Sequence, residues 1–471
     1  MHSDWGSLLI NTTRVRRRRV TCLVVATIVL VGIVTTNTPA NGATDGWADT
    51  TLHVVGGPVV AGTEVLVLDV SSTRQMELSG VDPSNGAVQW SHPFSPSQIT
   101  LGASFAPVSI GSTALDFAPA TSPSNPVVNV EGINVVTGKV IWKIKQALDV
   151  SDAPVVCAGG RFFCFPVFVA STQTDLVAVD PATGSVQGSV EGPFRNVGVD
   201  TPGEPASSNL WQTDATKPTL LQVSDAGQRE WVRTVANLFG GAQFSPNYGY
   251  DFLSAGNLDY GTVGIEPQGK TDDLSKQKSI GINALSGAVL WKSPGSVFCT
   301  GSLQFLTSPL VCNYKGSVTL NGTNSPSLKG VTLTLAGINV VTGKSTWTEK
   351  VADVKALSSG TDVAFGDESH IVIETSAHKR VLLDAADGSV ASIDHGESFW
   401  CEDTPEFKVI AIQGVPDSGS RVSEPVFNAC RADGASANSV PTTNPTTVGV
   451  VLDGRFIWPS SHGLKAVAAH R

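Results

Sequence analysis

INVVTGKVIW (133–142) is the fullest form of a turn that this chain of 471 residues writes seven times. An apolar residue is followed by Asp or Asn, two free positions, a small or polar residue and Gly, with Trp four residues further on. Other copies read VDPSNGAVQW (81–90), VDPATGSVQG (179–188), INALSGAVLW (282–291), INVVTGKSTW (338–347) and LDAADGSVAS (383–392). A shortened copy, VSDAGQREW, ends at Trp231. The glycines stand at 86, 138, 184, 227, 287, 343 and 388, so the steps run from 43 to 60 residues. A unit repeated at that interval cannot bury its apolar face alone and stacks on its neighbours; for β-rich units the stacked form is a propeller.

Each copy predicts a hairpin. Asp82, Asn134, Asp180, Asn283, Asn339 and Asp384 accept hydrogen bonds from backbone N–H groups two or three residues on. The following Gly supplies a positive φ, and the pair makes a tight turn with a bulge. Trp90, Trp142, Trp231, Trp291 and Trp347 fall on the next strand, where a large flat ring packs between neighbouring blades. Gly188 and Ser392 stand in that place in two copies. Upstream lie short runs rich in Val, Ile, Leu and Phe, such as GTEVLVLDV (62–70) and HIVIET (370–375). No stretch after residue 45 has a capped helical period, so the fold class is all-β, with four-stranded blades.

DGRFIWPSSHGLKAVAAH (453–470) reads as the first two strands of a further blade that lacks its own outer strand and Trp. Trp47 precedes Pro58 of GGPVVAG by eleven residues, much as Trp142 precedes Pro154 by twelve. Trp47 is therefore read as the outer-strand Trp of the last blade, and pairing of the N- and C-terminal strands closes the ring and removes free edges. That gives eight blades, with seven as the alternative.

AVDPATG (178–184), GINVVTGKVIW (132–142) and GINVVTGKSTW (337–347) carry a D-x-x-T-G-x-x-x-W pattern that resembles the PQQ-like β-propeller repeat family over most of residues 47–471. The resemblance implies a propeller fold. It leaves the activity open, because the family holds quinone-dependent alcohol dehydrogenases, an outer-membrane assembly lipoprotein and many binding domains. Its enzymes stack the quinone between a Trp and a ring made by adjacent cysteines, beside a calcium held by Glu, Asn and Asp. No two cysteines are adjacent here, so no cofactor is expected, and PQQ belongs only to the alternative reading.

RVRRRR (14–19) precedes an apolar run of fifteen, VTCLVVATIVLVGIV (20–34), and then TTNTPANGA. This has the form of an export signal or a signal anchor, placing the remainder outside the cytoplasm. The expected division is 1–43 as the signal or anchor and 44–471 as the propeller. The whole chain carries a formal charge of −10. Without residues 1–43 it keeps 26 basic and 40 acidic side chains, formally −14, which disfavours nucleic acid as a partner.

Six cysteines remain beyond Cys22 and fall into the sequence-near pairs Cys157/Cys164, Cys299/Cys312 and Cys401/Cys430. An even count in an exported domain fits structural disulfides, with metal ligation or free thiols as the competing readings. No C-x-x-C and no His at ligand spacing supports zinc, and the scattered histidines read as surface residues. Of only four tyrosines, Tyr248, Tyr250 and Tyr260 cluster in FGGAQFSPNYGYDFLSAGNLDYG (239–261) with Asp251. This is the composition of an adaptable binding loop; an ordinary strand with packed rings is the other reading. The expected function is a binding or scaffold module at the cell envelope for a protein, peptide or carbohydrate. A divergent quinoprotein oxidoreductase and an extracytoplasmic sensor are the alternatives.

Overall fold

The computed structural model describes residues 46–470 apart from 96–105, 121–126, 197–209, 214–218, 224–228, 240–250, 264–270, 300–307, 322–324, 352–363, 410–419 and a few single or paired positions. Strand is the predominant regular structure of the described residues. Only Val235–Phe239 and Leu274–Lys276 are helical, each for about one turn. Strands pair antiparallel throughout, in six four-stranded sheets, one of five, one of six and a separate two-stranded hairpin.

The sheets follow one another along the chain, except that Thr271–Asp273, which lies between two strands of the fifth sheet, pairs into the sixth. Val54–Ala61, Glu64–Val70, Met76–Val81 and Val88–Phe94 form the first, and the second ends with Val128–Asn134 and Val140–Lys143. The eighth takes three strands from the C-terminal end, Val450–Leu452, Arg455–Ser460 and Gly463–Ala468. Its fourth is Trp47–Asp49, with Trp47 opposite Ala466 and Asp49 opposite Leu464. The sequence reading assigned two C-terminal strands to this sheet. The third, Val450–Leu452, is so short that its pattern does not stand out from the Pro- and Thr-rich segment before it.

Asn134 shows how the repeated turn is built. Its Oδ1 accepts from the backbone N–H groups of Val136 (3.2 Å) and Thr137 (3.0 Å), and its carbonyl accepts from Gly138 N–H (2.9 Å). Gly138 has φ +65°. The register then slips by one residue between Gly132 and Ile133, which is the bulge that turn chemistry predicts. The slip recurs at Gly80/Val81, Ala178/Val179, Gly281/Ile282 and Gly337/Ile338.

Six of the turns receive a Trp from the preceding sheet. The Trp90 indole N–H donates to Val135 O (2.8 Å), and Trp142 donates to Pro181 O (2.7 Å). Trp291 donates to Val340 O (2.6 Å), Trp347 to Ala385 O (3.0 Å), and Trp47 to Pro83 O (2.9 Å). Trp231 makes the same bond to Ala284 O (2.5 Å). In every case the acceptor is the residue directly after the Asp or Asn. The ring lies flat on the Gly of that turn, where a Cβ would enter it: Gly138 under Trp90, Gly184 under Trp142. Ala at Gly138 combines the left-handed backbone cost of about 1–2 kcal/mol with displacement of the Trp90 ring. Gly138→Ala is expected to lower stability by more than about 1.5 kcal/mol, read from the denaturation midpoint. An unchanged midpoint would disprove the seating.

The Trp latch is missing at Gly188 and Ser392, and in both places the receiving turn is altered too. The copy after Gly188 is the shortened VSDAGQREW. The sheet after Ser392 has no such turn, because its fourth strand comes from the other end of the chain. A glycine lies beneath four of the indoles within their own sheets (Gly80, Gly132, Gly281, Gly337), and Ala178 and Leu382 stand at that offset where the Trp is absent; Trp231 and Trp47 instead lie opposite Gln222 and Ala466.

One addition departs from the repeat. The seventh sheet is extended past Ala364–Asp367 by Phe399–Asp403 and Val426–Cys430. Trp400 is fully buried there and meets Phe456 and Trp458 of the eighth sheet, with ring centroids 5.6 and 5.3 Å away. Its indole N–H donates to Thr443 Oγ1 (3.3 Å).

Candidate functional site

Between that extension and the eighth sheet lies a cleft of about 310 Å³. One wall is Phe427, Asn428 and Ala429, with Val440 at the rim. The other is the outer pair of the eighth sheet, Gly463–Ala468 and Trp47–Asp49, with Trp458 beside them. Lys465 lies opposite Trp458 on one side and Ala48 on the other, so the three share a face. The Lys465 side chain has no ion pair or hydrogen bond among the described residues. Asn428 Oδ1 accepts from Ser461 Oγ (3.1 Å), and its amide NH₂ has no acceptor among the described residues. The cleft is thus an apolar, aromatic slot with two unused donors.

A polar cluster on the seventh sheet has a different character. His370 Nδ1 lies 2.8 Å from Asp367 Oδ1, and its Nε2 lies 3.5 Å from Asp384 Oδ2. Ser369 donates to the same Asp367 oxygen from its backbone N–H (2.7 Å) and its hydroxyl (2.9 Å). Burial raises the Asp367 pKa, but the hydrogen bonds from His370 and Ser369 outweigh it and hold the carboxyl below its ordinary value. Because the Ser369 proton goes to Asp367 rather than to His370, the three do not form a nucleophile relay. The cluster braces the 367–370 turn against the repeat turn at Asp384.

Asp69 and Asp116, with Glu131 beside the latter, are carboxyls buried in the first two sheets. Asp69 accepts from Ser79 Oγ (3.1 Å). Burial raises its pKa, Ser79 lowers it, and Glu77 and Asp49 raise it, to about 6 in all. Asp116 has no exposed surface, and neither of its oxygens has a hydrogen-bond partner among the described residues. Burial and the neighbouring Glu131 push it well above the carboxylate range. Both are acids that the folded state prefers protonated, so the stability they lend is complete below about pH 4 and is lost as pH rises through the folded pKa. For Asp69 alone that loss amounts to about 3 kcal/mol between its ordinary pKa and about 6. A D69N/D116N double variant is expected to flatten the decline, measured as denaturation free energy across that range. A decline as steep as in the parent would contradict the assignment.

Among the residues singled out in the sequence, the cysteines are joined as Cys157–Cys164, Cys299–Cys312 and Cys401–Cys430. Trp47, Trp90, Trp142, Trp231, Trp291 and Trp347 all sit between sheets as described. Asp251 opens the strand Asp251–Ala255, and Tyr260 lies within Leu258–Val263, which pairs with it. Tyr248 and Tyr250 lie outside the described residues. So does the apolar run 20–34; among the described residues no helix is long and apolar enough to cross a membrane. No three His, Cys, Asp or Glu side chains gather around a common centre fit for a metal ion among the described residues. The cleft itself was not anticipated. Of its aromatic residues Trp47, Phe427 and Trp458, only Trp47 was singled out in the sequence, as a packing residue; Trp458 falls outside the repeat spacing, and that departure was the further signal available.

Residues 32–187, about a third of the chain, match the PQQ-like repeat family model described as outer membrane protein assembly factor BamB. No curated protein sequence matches the chain. Among solved structures, BamB from Moraxella catarrhalis is similar at 12% identity, over 89% of this chain and 96% of that one, with a TM-score of 0.39. A europium-containing methanol dehydrogenase is similar at 11% identity, over 80% and 87%, with a TM-score of 0.39. Saccharomyces cerevisiae Sqt1 is similar at 11% identity, over 83% and 96%, with the same score. Scores at this level do not distinguish an assembly factor from a dehydrogenase.

Proposed function

We propose that this chain, whose residues 32–187 match a PQQ-like repeat family model, is an extracytoplasmic propeller acting as a protein-binding or scaffold module at the cell envelope. In this reading residues 1–43 are the export signal or anchor and residues 44–471 form eight blades, the paired terminal strands closing the ring. Three disulfides suit an oxidising compartment. The observation that carries the binding role is the cleft. Its walls are aromatic and aliphatic side chains on two end strands, a surface suited to contact with a polypeptide. The description of the matched family, an assembly factor, agrees with protein partners.

The reading is tested by exporting the full chain in a bacterial host, cross-linking in intact cells and identifying the adducts. Reproducible adducts with envelope proteins support it. An adduct-free protein, or a quinone-like absorbance band that appears on adding PQQ and Ca²⁺, overturns it.

A further inference from the structure

We propose that the cleft between the seventh-sheet extension and the eighth sheet receives an aromatic side chain with an adjoining carboxylate, presented by an extended segment of a partner protein. The proposal rests on the binding-module reading and names the chemistry of its site.

The repeat itself supplies the first argument. Six junctions are filled by an indole seated on the next sheet's turn. The junction after the seventh sheet has neither part, since Ser392 replaces the Trp and the joined terminal strands replace the turn. Trp400 fills the inner part of this junction against Phe456 and Trp458. The outer part stays open, between Phe427 and Ala429 on one side and Trp458, Ala466 and Val467 on the other. A flat apolar ring is what this fold places in such a space elsewhere, and burying one from outside gains the same hydrophobic free energy.

The polar atoms specify the rest. Lys465 projects from the wall beside Trp458, unpaired in a chain of net charge −10. The free amide of Asn428 stands on the facing wall. Two donors without an acceptor of their own favour a carboxylate. The form of the ligand follows from the edges. Trp47–Asp49 is the last strand of its sheet, so its outer backbone groups, unpaired with any strand among the described residues, can take an extended chain running alongside. On the facing wall Ala429 O already accepts from Ala437 N–H (3.1 Å), which leaves the Trp47–Asp49 edge for the ligand.

N-acetyl-tryptophan and its neutral amide serve as probes of the full-length protein, with binding followed by saturation-transfer NMR. The acid is expected to bind saturably and at least about fivefold more tightly than the amide. Lys465→Gln is expected to erase that preference. Val440→Trp, at a rim position that is 36% exposed, is expected to block both probes while leaving the melting temperature unchanged. No saturable binding, equal binding of the two probes, or retention of binding by V440W overturns the proposal. The same V440W chain is carried into the cross-linking experiment. Adducts that persist there sink this site and spare the module reading, whereas no adducts from either chain sink the module reading itself.

Discussion

Trp142→Ala is expected to lower unfolding free energy by about 3–5 kcal/mol, the range for removing a large buried aromatic side chain. The residue is 8% exposed and touches two sheets at once. Its ring covers Gly132 within its own sheet and Gly184 in the turn of the next, and neither glycine offers a side chain to refill the space. Its N–H also satisfies Pro181 O, which loses that partner on truncation. Trp142→Phe separates the two contributions, because it keeps most of the ring and loses the donor. A smaller loss of about 1–3 kcal/mol is expected for it. Urea denaturation monitored by far-UV circular dichroism measures both. An alanine variant no weaker than the phenylalanine one would show that the ring is not the latch. The converse change, Gly188→Trp, is expected to gain nothing, since Ala178 rather than Gly lies opposite and the following turn is shortened.

The latch explains why so much of the fold was legible. The turn motif specifies a positive-φ glycine, an Asx acceptor and a Trp, and each has its structural consequence at the same offset in every full copy. Even Trp47, far from any turn in sequence, was placed by its spacing to Pro58, and it donates to Pro83 O as its counterparts do to their turns. The two copies without Trp were legible as absences but not as to cause. One correlate was nonetheless written in the chain: Gly precedes the Asp or Asn by two residues in SGVD, EGIN and the two GIN copies, but not in LVAVD or VLLD. That glycine makes room for the indole of its own sheet in these four copies, whereas Trp231, opposite Gln222, and Trp47, opposite Ala466, keep the latch without it.

The extension at 399–430 was not legible. It obeys no repeat, and its strands, Phe399–Asp403 and Val426–Cys430, are separated by a segment that reads as a loop with a single cysteine pair across it. A pairing between strands twenty or more residues apart follows from tertiary packing against Ala364–Asp367, not from local pattern. The cleft depends on that packing, so it lay beyond the sequence for the same reason. Asp116 illustrates the opposite limit. TALDFAP reads as an alternating strand, but alternation does not reveal that both faces are covered, and hence that the carboxyl has no route to water.

Reduction of the three disulfides is expected to cost more than any single substitution. Cross-linking restricts the unfolded chain, and by the loop-entropy relation the separations of 7, 13 and 29 residues correspond to about 2.5, 3 and 3.6 kcal/mol. Their sum approaches the whole stability of a typical domain, about 5–15 kcal/mol. The bonds also sit where pairing is weakest. Cys157 follows the two-residue strand Val155–Val156, Cys299 follows the three-residue strand Ser296–Phe298, and Cys401–Cys430 ties the extension that walls the cleft. Dithiothreitol is therefore expected to lower the melting temperature steeply, and folding in a reducing cytoplasm to give little native protein. Among paired Cys→Ser variants, C401S/C430S is expected to be the least stable and C157S/C164S the most. Only the former is expected to weaken N-acetyl-tryptophan binding beyond its effect on folding, because the Phe427–Ala429 wall loses its tether. Equal losses for all three pairs would show that native packing, rather than the closed loop, sets the contribution of each bond.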